Sequence, residues 1–362
     1  MKVNKSKVLL GMSGGVDSSV AAVLLLKAGY EVIGGFMKNW SEGHQVVDAQ
    51  AVKTECSWRT ERRDAMRVAA QLGIEFYTFD FEEEYRAQVY EYMIAEYKAG
   101  RTPNPDVLCN KYMKFGLFLE KSQELGCDYV ATGHYARTMI DEVGTHLLSG
   151  LDKNKDQSYF LCRLEQDQLS KVLFPVGELQ KADVRKIAEQ NKLHVADKKD
   201  SQGICFVGKV ALNDFLKDRI KPQEGNIIDT NGKILGKHQG HMYYTIGQRQ
   251  GLGLAGGPWF IVERRPETNE VVVAKDEDKS LYNSELIATG ITETIEGGLE
   301  SKIGQKIKAR IRYRQPLQSC QVTRLSNGQV QVKFDKPQRA VAPGQFIAFY
   351  RGDELLGSGI IS

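Results

Sequence analysis

The chain has 362 residues, of which 41% are hydrophobic and 26% charged, and a formal net charge of +3. That length exceeds a usual single domain, so two or three domains are expected, and the composition matches an ordinary soluble protein. No apolar run approaches a membrane span, and Met1 leads into a lysine-bearing strand instead of an apolar signal core, so a cytoplasmic location with no membrane contact is expected.

The first predicted strand runs from Lys7 into KVLLGMSGGVDSS, an apolar segment that enters a glycine- and hydroxyl-rich turn and then opens a helix over residues 18–28. This is the pattern of a phosphate cradle. Gly14 and Gly15 permit close backbone approach, Ser13, Ser18 and Ser19 add hydroxyls, and the helix N-terminus favours an anion. The turn is neither GxxxxGK[ST] nor GxGxxG, which sets aside the usual GTPase and dinucleotide readings. SGGxDS after a strand resembles instead the pyrophosphate loop of ATP pyrophosphatases, enzymes that cleave ATP to AMP and pyrophosphate. The competing reading is a tight strand-to-helix turn with a Ser/Asp cap.

Further along, Gly29 stops the first helix, a strand over 31–37 follows, and an irregular stretch reaches Ser57. A helix from Trp58 to Gly73, a strand over 74–79, helices over 81–99 and 109–125 and a strand over 129–131 complete the pattern. Strands alternating with helices of this length predict a doubly wound parallel sheet in an α/β domain. Beyond Gly133 a hairpin is expected at 141–144 and a helix at 181–192. From Gly225 the chain reads as β, with Asn231-Gly232 and Asn327-Gly328 as hairpin turns. Gly251, Gly253, Gly256 and Gly257 crowd one region, which suggests close backbone approach or a mobile loop. Domain boundaries are expected near 210 and 285, giving domains over 1–210, 211–284 and 285–362.

Between Ser301 and Arg351 stand eleven Lys or Arg and a single acidic residue, Asp335. Such a segment invites a polyanion, although a solvated basic face with no partner has the same composition. The six cysteines include no CxxC pair, which argues against a zinc ribbon or dithiol motif. Two have unusual neighbours. Cys109 lies in RTPNPDVLCNKYMKFG, where Pro103 and Pro105 hold an extended segment before a helix whose N-terminus would stabilise a thiolate, with Lys111 and Lys114 close by. Cys205, in KKDSQGICFVG between Ile204 and Phe206, fits a buried core position at least as well as a chemical one.

The loop SGGVDSS, then NPDVLCN, ATGHYA, KDQSYFL, DSQGICF and ARIRYRQ, all in this order, resemble the bacterial tRNA-specific 2-thiouridylases over essentially the whole chain. The resemblance implies an ATP-dependent sulfurtransferase that replaces the C2 oxygen of the wobble uridine of tRNA with sulfur. It also implies an adenine nucleotide alpha hydrolase-like domain, a small central domain that contacts tRNA, and a C-terminal antiparallel β-barrel that binds tRNA. By that similarity Gly11, Met12, Ser13, Gly14, Gly15, Val16, Asp17, Ser18, Met37 and Gly133 would bind ATP with Mg²⁺. Asn104, Pro105 and Asp106 would contact the target base. His134, Lys155, Asp156, Gln157, Arg312, Tyr313 and Gln345 would contact tRNA, of the Lys, Glu and Gln types. Cys109 would be the nucleophile and Cys205 the persulfide carrier, supplied by a cysteine desulfurase or sulfur-relay protein, with a disulfide forming between the two in turnover.

These residue types suit the chemistry. A pyrimidine carbonyl oxygen leaves poorly until adenylation makes AMP the leaving group. Asp106 is a candidate acid or base, or equally a helix cap. His134 would suit a core position outside its motif, and Arg312 with Tyr313 suit phosphate pairing and base stacking or an ordinary solvated sheet edge. An iron–sulfur cluster on Cys109, Cys205 and Asp106 is a less favoured arrangement. Rival readings are a small-molecule ATP pyrophosphatase, such as argininosuccinate synthase, NAD synthetase or an amide-transfer synthetase, or an RNA-binding module with a degenerate nucleotide site. The former needs neither a cysteine pair nor a basic β domain, and the intact Ser13, Gly14, Gly15, Asp17 and Ser18 set speaks against the latter.

Overall fold

The structure, a computed structural model, describes residues 5–41, 57–199, 212–325 and 328–362. Strand β1 (Lys7–Gly11) leads into helix α1 (Val16–Lys27), followed by β2 (Glu31–Lys38), α2 (Ser57–Leu72) and β3 (Glu75–Asp80). Helices α3 (Glu82–Tyr85) and α4 (Glu91–Lys98) are joined by wide π-type turns over Arg86–Tyr90. A second such run, Cys109–Leu117, joins α5 (Pro105–Leu108) to α6 (Phe118–Glu124). Then come β4 (Tyr129–Ala131), the hairpin β5 (Ala136–Ile140) and β6 (Thr145–Ser149), α7 (Gln166–Leu169), β7 (Val172–Leu173) and α8 (Lys181–Gln190).

Strands β3, β2, β1, β4 and β7 lie side by side in that order, and every pairing is parallel. Alternate residues of β1 serve opposite faces. Val8 and Leu10 pack with α1, α2 and α8, whereas Leu9 joins a second core with the helices of 82–124. A sheet covered on both faces explains why β1 reads as an unbroken apolar run.

After α9 (Leu212–Lys217), strands β8 (Gly225–Asp229), β9 (Ile234–His238), β10 (Phe260–Arg265) and β11 (Glu270–Ala274) form a small sheet in the order β10-β11-β8-β9. Its turn at Asn231-Gly232 is the expected hairpin: Gly232 has φ +83°, and the Asp229 carboxylate accepts from the Asn231 and Lys233 amides. The remaining strands are β12 (Tyr282–Glu293), β13 (Lys306–Arg310), β14 (Gln318–Arg324), β15 (Val330–Arg339), β16 (Phe346–Arg351) and β17 (Glu354–Ile361). They pair antiparallel in the order β12-β15-β14-β13-β16-β17, and β17 returns to β12, closing a six-stranded barrel. Closure removes the free sheet edges. Asn327 of the other expected turn lies outside the described residues, while β14 and β15 pair as that hairpin requires.

The β5–β6 hairpin, though it follows the parallel sheet in sequence, pairs through β6 with barrel strand β17 (Leu148 with Glu354, Leu147 with Leu355). The barrel and the parallel-sheet half also share one core, in which Phe346, Tyr350 and Leu355 pack with Tyr159 and Leu161. The Tyr159 hydroxyl donates to the Phe346 carbonyl (2.9 Å). Among the described residues no helix is long and apolar enough to cross a membrane.

Candidate active site

The turn after β1 folds as a cradle because its hydroxyls bond back onto its own backbone. Ser18 Oγ and Ser19 Oγ donate to the Gly15 carbonyl (3.2 and 2.8 Å), and the Ser13 amide donates to Ser18 Oγ (3.2 Å). The Met12 amide donates to the Gly35 carbonyl, pinning the turn to β2. Gly15 is the extended N-cap of α1 and no side chain caps it, so the first amides of that helix are not consumed by a cap. Gly14 holds φ +72°, and a Cβ there would lie 2.2 Å from the Glu61 carbonyl oxygen. The glycine is therefore required by the packing of α2 against the loop, a constraint distinct from the phosphate approach expected from the sequence. Gly133 packs so tightly on the start of α1 that a Cβ would meet the Ser18 amide nitrogen at 2.7 Å, and Met37 Cε sits 3.2 Å from where a Gly11 Cβ would stand. Gly11, Met12, Ser13, Gly14, Gly15, Val16, Asp17, Ser18, Met37 and Gly133 are thus gathered at the C-terminal ends of β1, β2 and β4, where open parallel sheets hold ligands.

Two lysines that sequence reasoning did not single out converge here. Lys181, the first residue of α8, reaches both Asp17 carboxylate oxygens (2.7 and 2.9 Å), and the Tyr135 hydroxyl donates to the same carboxylate (2.8 Å). Lys198 donates to the Gly14 carbonyl (2.9 Å) and to Asp64 (2.7 Å). Burial would raise the Asp64 carboxyl, but bonds from Lys198 and His194 hold it below its ordinary range. Burial pushes the neighbouring Glu61 carboxyl up, against the pull of Lys198. Their separation from the loop in sequence, 164 and 184 residues, left no signal by which to find them. Both Asp17 oxygens face a lysine, and among the described residues no three His, Cys, Asp or Glu side chains converge, so the described residues offer no ready-made cation site.

The NPDVLCN segment is organised by Asn104, whose side chain caps α5 by accepting from the Val107 amide (3.4 Å), with Pro105 at the favoured first position. The helix therefore starts four residues earlier than the expected 109. Asp106 lies within its first turn and is not its cap, and Cys109, 1% exposed, stands beyond that turn at the head of the wide run Cys109–Leu117. The helix dipole acts mainly within the first turn, so the thiolate argument from a helix N-terminus loses its geometric basis. Asn104 Nδ2 meets Gln345 Oε1 (3.3 Å), and Gln345 Nε2 donates to the Thr102 and Pro103 carbonyls (3.0 and 3.2 Å). Residues 241 apart in sequence thus meet where the barrel abuts the cysteine helix. Cys205 lies outside the described residues.

The other expected contacts divide. His134 is buried: its Nδ1 pairs with Thr132 Oγ1 (2.7 Å), and burial together with the Lys114 charge holds its pKa well below the ordinary value. Asp156 is 5% exposed and binds inward, accepting from the Gly150 and Ser158 amides and from Arg310 (2.5 Å). Gln157 Oε1 accepts from the Tyr135 amide (3.0 Å), and the Lys155 amide donates to the Asp152 carbonyl. Arg312 is exposed and donates to the Arg339 carbonyl (2.9 Å), while Tyr313 packs on Phe160 with ring centroids 4.5 Å apart.

A glycine-rich phosphate cradle at the head of a parallel sheet, joined to an antiparallel barrel, defines the class of nucleotide-binding α/β enzymes with appended β domains. Three family models match in succession: a tRNA methyl transferase HUP domain over residues 6–209, a tRNA methyl transferase PRC-barrel domain over 213–275, and an aminomethyltransferase beta-barrel domain over 296–361. The chain is 46% identical to the tRNA-specific 2-thiouridylase MnmA of Hydrogenovibrio crunogenus, covering 98% of this chain and 94% of the relative. It is 48% identical to that of Geobacillus thermodenitrificans (99% and 95% covered) and 46% identical to that of Streptococcus mutans (99% and 95%). The domain descriptions mention a methyl transferase, whereas these relatives, which span the whole chain, are thiouridylases. The chain belongs to the tRNA-specific 2-thiouridylase family.

Proposed function

We propose that this chain is an ATP-dependent sulfurtransferase that replaces O2 of the wobble uridine of tRNA with sulfur. The observation that carries this reading is the 46–48% identity to thiouridylases over 98–99% of the chain. The cradle supports it, since free helix amides and two nearby lysines suit a triphosphate. In the proposed reaction uridine O2 attacks the α-phosphorus of ATP and pyrophosphate leaves. The terminal sulfur of a Cys205 persulfide attacks C2, and the oxygen departs with AMP. Cys109 thiolate then attacks the Cys205 sulfur, releasing 2-thiouridine and leaving a disulfide that an external dithiol reduces. Asn104, Pro105 and Asp106 would contact the target base next to Cys109, and Gln345 braces that segment from the barrel. Arg312, Tyr313 and the surrounding basic strands suit the RNA backbone.

The test supplies unmodified tRNA of the Lys, Glu or Gln type, ATP, a cysteine desulfurase and radiolabelled cysteine. Wild type should form 2-thiouridine, seen by mass spectrometry, with one AMP per sulfur. Cys109→Ser should take up label without making product, and Cys205→Ser should do neither. Label retained on Cys205→Ser overturns the assignment of the carrier, and AMP formed without thiolated tRNA overturns the reaction.

A further inference from the structure

Two residues before Asn104, the chain is gripped by both appended domains at once. Thr102 is buried; its amide donates to the Pro343 carbonyl (2.7 Å) and its carbonyl accepts from Gln345 Nε2 (3.0 Å), both on the barrel side. Its hydroxyl accepts from Arg264 (2.8 Å), which stands on β10 of the small central sheet. Amide, carbonyl and hydroxyl of Thr102 are thus all held from outside the parallel-sheet half. The approach is close on both sides: a Cβ on Gly100 would lie 2.5 Å from Pro266 Cγ, and one on Gly344 would lie 2.9 Å from the Thr102 amide nitrogen.

Arg264 is 8% exposed, and its other bond goes to the Tyr244 carbonyl (2.7 Å). Its Nε has no partner, and among the described residues no carboxylate pairs with it. Burial pulls its pKa down to about 10, against the opposing effect of Tyr97. Neighbouring His241 brings no compensation, since burial and the Arg264 charge both hold its own pKa down. A buried guanidinium without a carboxylate is a net cost to stability, and departures of this kind are expected where function requires them. Here the departure is aimed at Thr102.

The backbone beyond Thr102 is stiff. Pro103 and Pro105 fix their own φ and restrict Thr102 and Asn104, the residues before them. A rotation at Thr102 therefore carries into Asn104, the cap of α5, and on to Asp106 in its first turn and Cys109 at its end.

Resting on the thiolation reading above, we propose that Arg264 is a positioning residue for that reaction: through the Thr102 hydroxyl it sets the orientation of Asn104, Asp106 and Cys109. Misplacing reacting groups by about 1 Å costs up to about 10²-fold in rate, so loss of this bond falls on the rate at saturation and spares the binding of ATP and tRNA.

The experiment measures 2-thiouridine formation per mole of folded enzyme at saturating ATP and unmodified tRNA, with a cysteine desulfurase and cysteine supplying sulfur. KM for ATP, Kd for tRNA and the melting temperature are measured on the same samples. Thr102→Val, which removes the hydroxyl and keeps the shape, should lower the rate by at least about tenfold with KM and Kd at wild-type values. Thr102→Ser should restore most of the rate. Arg264→Met should match Thr102→Val, and the double variant should be no slower than either, because the same bond is lost in each. A wild-type rate in Thr102→Val with only the melting temperature lowered makes the bond purely structural and overturns the proposal. Multiplied losses in the double variant overturn it too. Wild-type enzyme that binds tRNA and ATP yet forms no 2-thiouridine removes the underlying reading instead, and so distinguishes the two failures.

Discussion

Asp17 stands where the phosphate loop, α8 and the Tyr135 hydroxyl meet, and its carboxylate is held by one ammonium and one hydroxyl. Lys181 thereby fixes the Asp17 carboxylate beside the cradle, and its positive charge adds to the field that an entering anion meets. Lys181→Met should therefore lower the rate of AMP formation by about 10²-fold, with Lys181→Arg partly restoring it. Substrate-saturated rates together with circular dichroism check this, and an undiminished rate in folded Lys181→Met refutes it. Gly14 requires a different reading. Its Cβ would strike the Glu61 backbone, so Gly14→Val displaces α2 and should lower the unfolding midpoint along with activity. Asp17→Asn, which keeps the shape, is the cleaner probe of the loop.

At the scale of elements, the β5–β6 hairpin is fastened to the barrel by His146. Its Nδ1 pairs with Glu354 (2.6 Å), its Nε2 lies 2.9 Å from Asp141, and Arg351 shares Glu354. Burial alone would lower its pKa, but contact with the two carboxylates outweighs burial and raises it. A raised folded value means that the protonated pair stabilises the fold fully below the unfolded value near 6.5 and is lost as pH rises through the folded value. The margin in melting temperature of wild type over His146→Gln should accordingly be largest in mildly acidic buffer and shrink towards pH 8.5. A margin independent of pH over that interval rules out the ion pair as the fastener.

At the scale of the whole molecule, the two halves are joined by a buried network rather than by a flexible linker. Arg310 on β13 donates to Asp156, Ser158 and the Tyr350 hydroxyl, and both charged partners are under a tenth exposed. Removing one member leaves the other charge buried alone, so Arg310→Met should cost about 3–5 kcal/mol. Adding Asp156→Asn should recover much of that loss in a chemical-denaturation cycle. Equal losses in the single and double variants refute the pairing. Because Tyr159, Phe346 and Tyr350 share one core across the same seam, loosening it should also disturb Gln345, which braces the cysteine helix.

The local signals were readable from the chain alone. Apolar runs between glycine stops marked β1, β2, β3 and β4 with their helices, and Asn231-Gly232 marked its hairpin, because strand period, turn conformation and helix termination are settled by a few adjacent residues. The phosphate cradle was readable for the same reason, its hydroxyls bonding within five residues. The start of the cysteine helix was misread because Pro105 serves as its first residue, a role proline shares with extended segments, and only the Asn104 side-chain bond to Val107 separates the two. The partners of Asp17 and Gly14, the meeting of Asn104 with Gln345 and the return of β6 to β17 left no local trace. Each joins segments more than a hundred residues apart, and the contacts exist only because burial of the shared apolar surface brings those segments together.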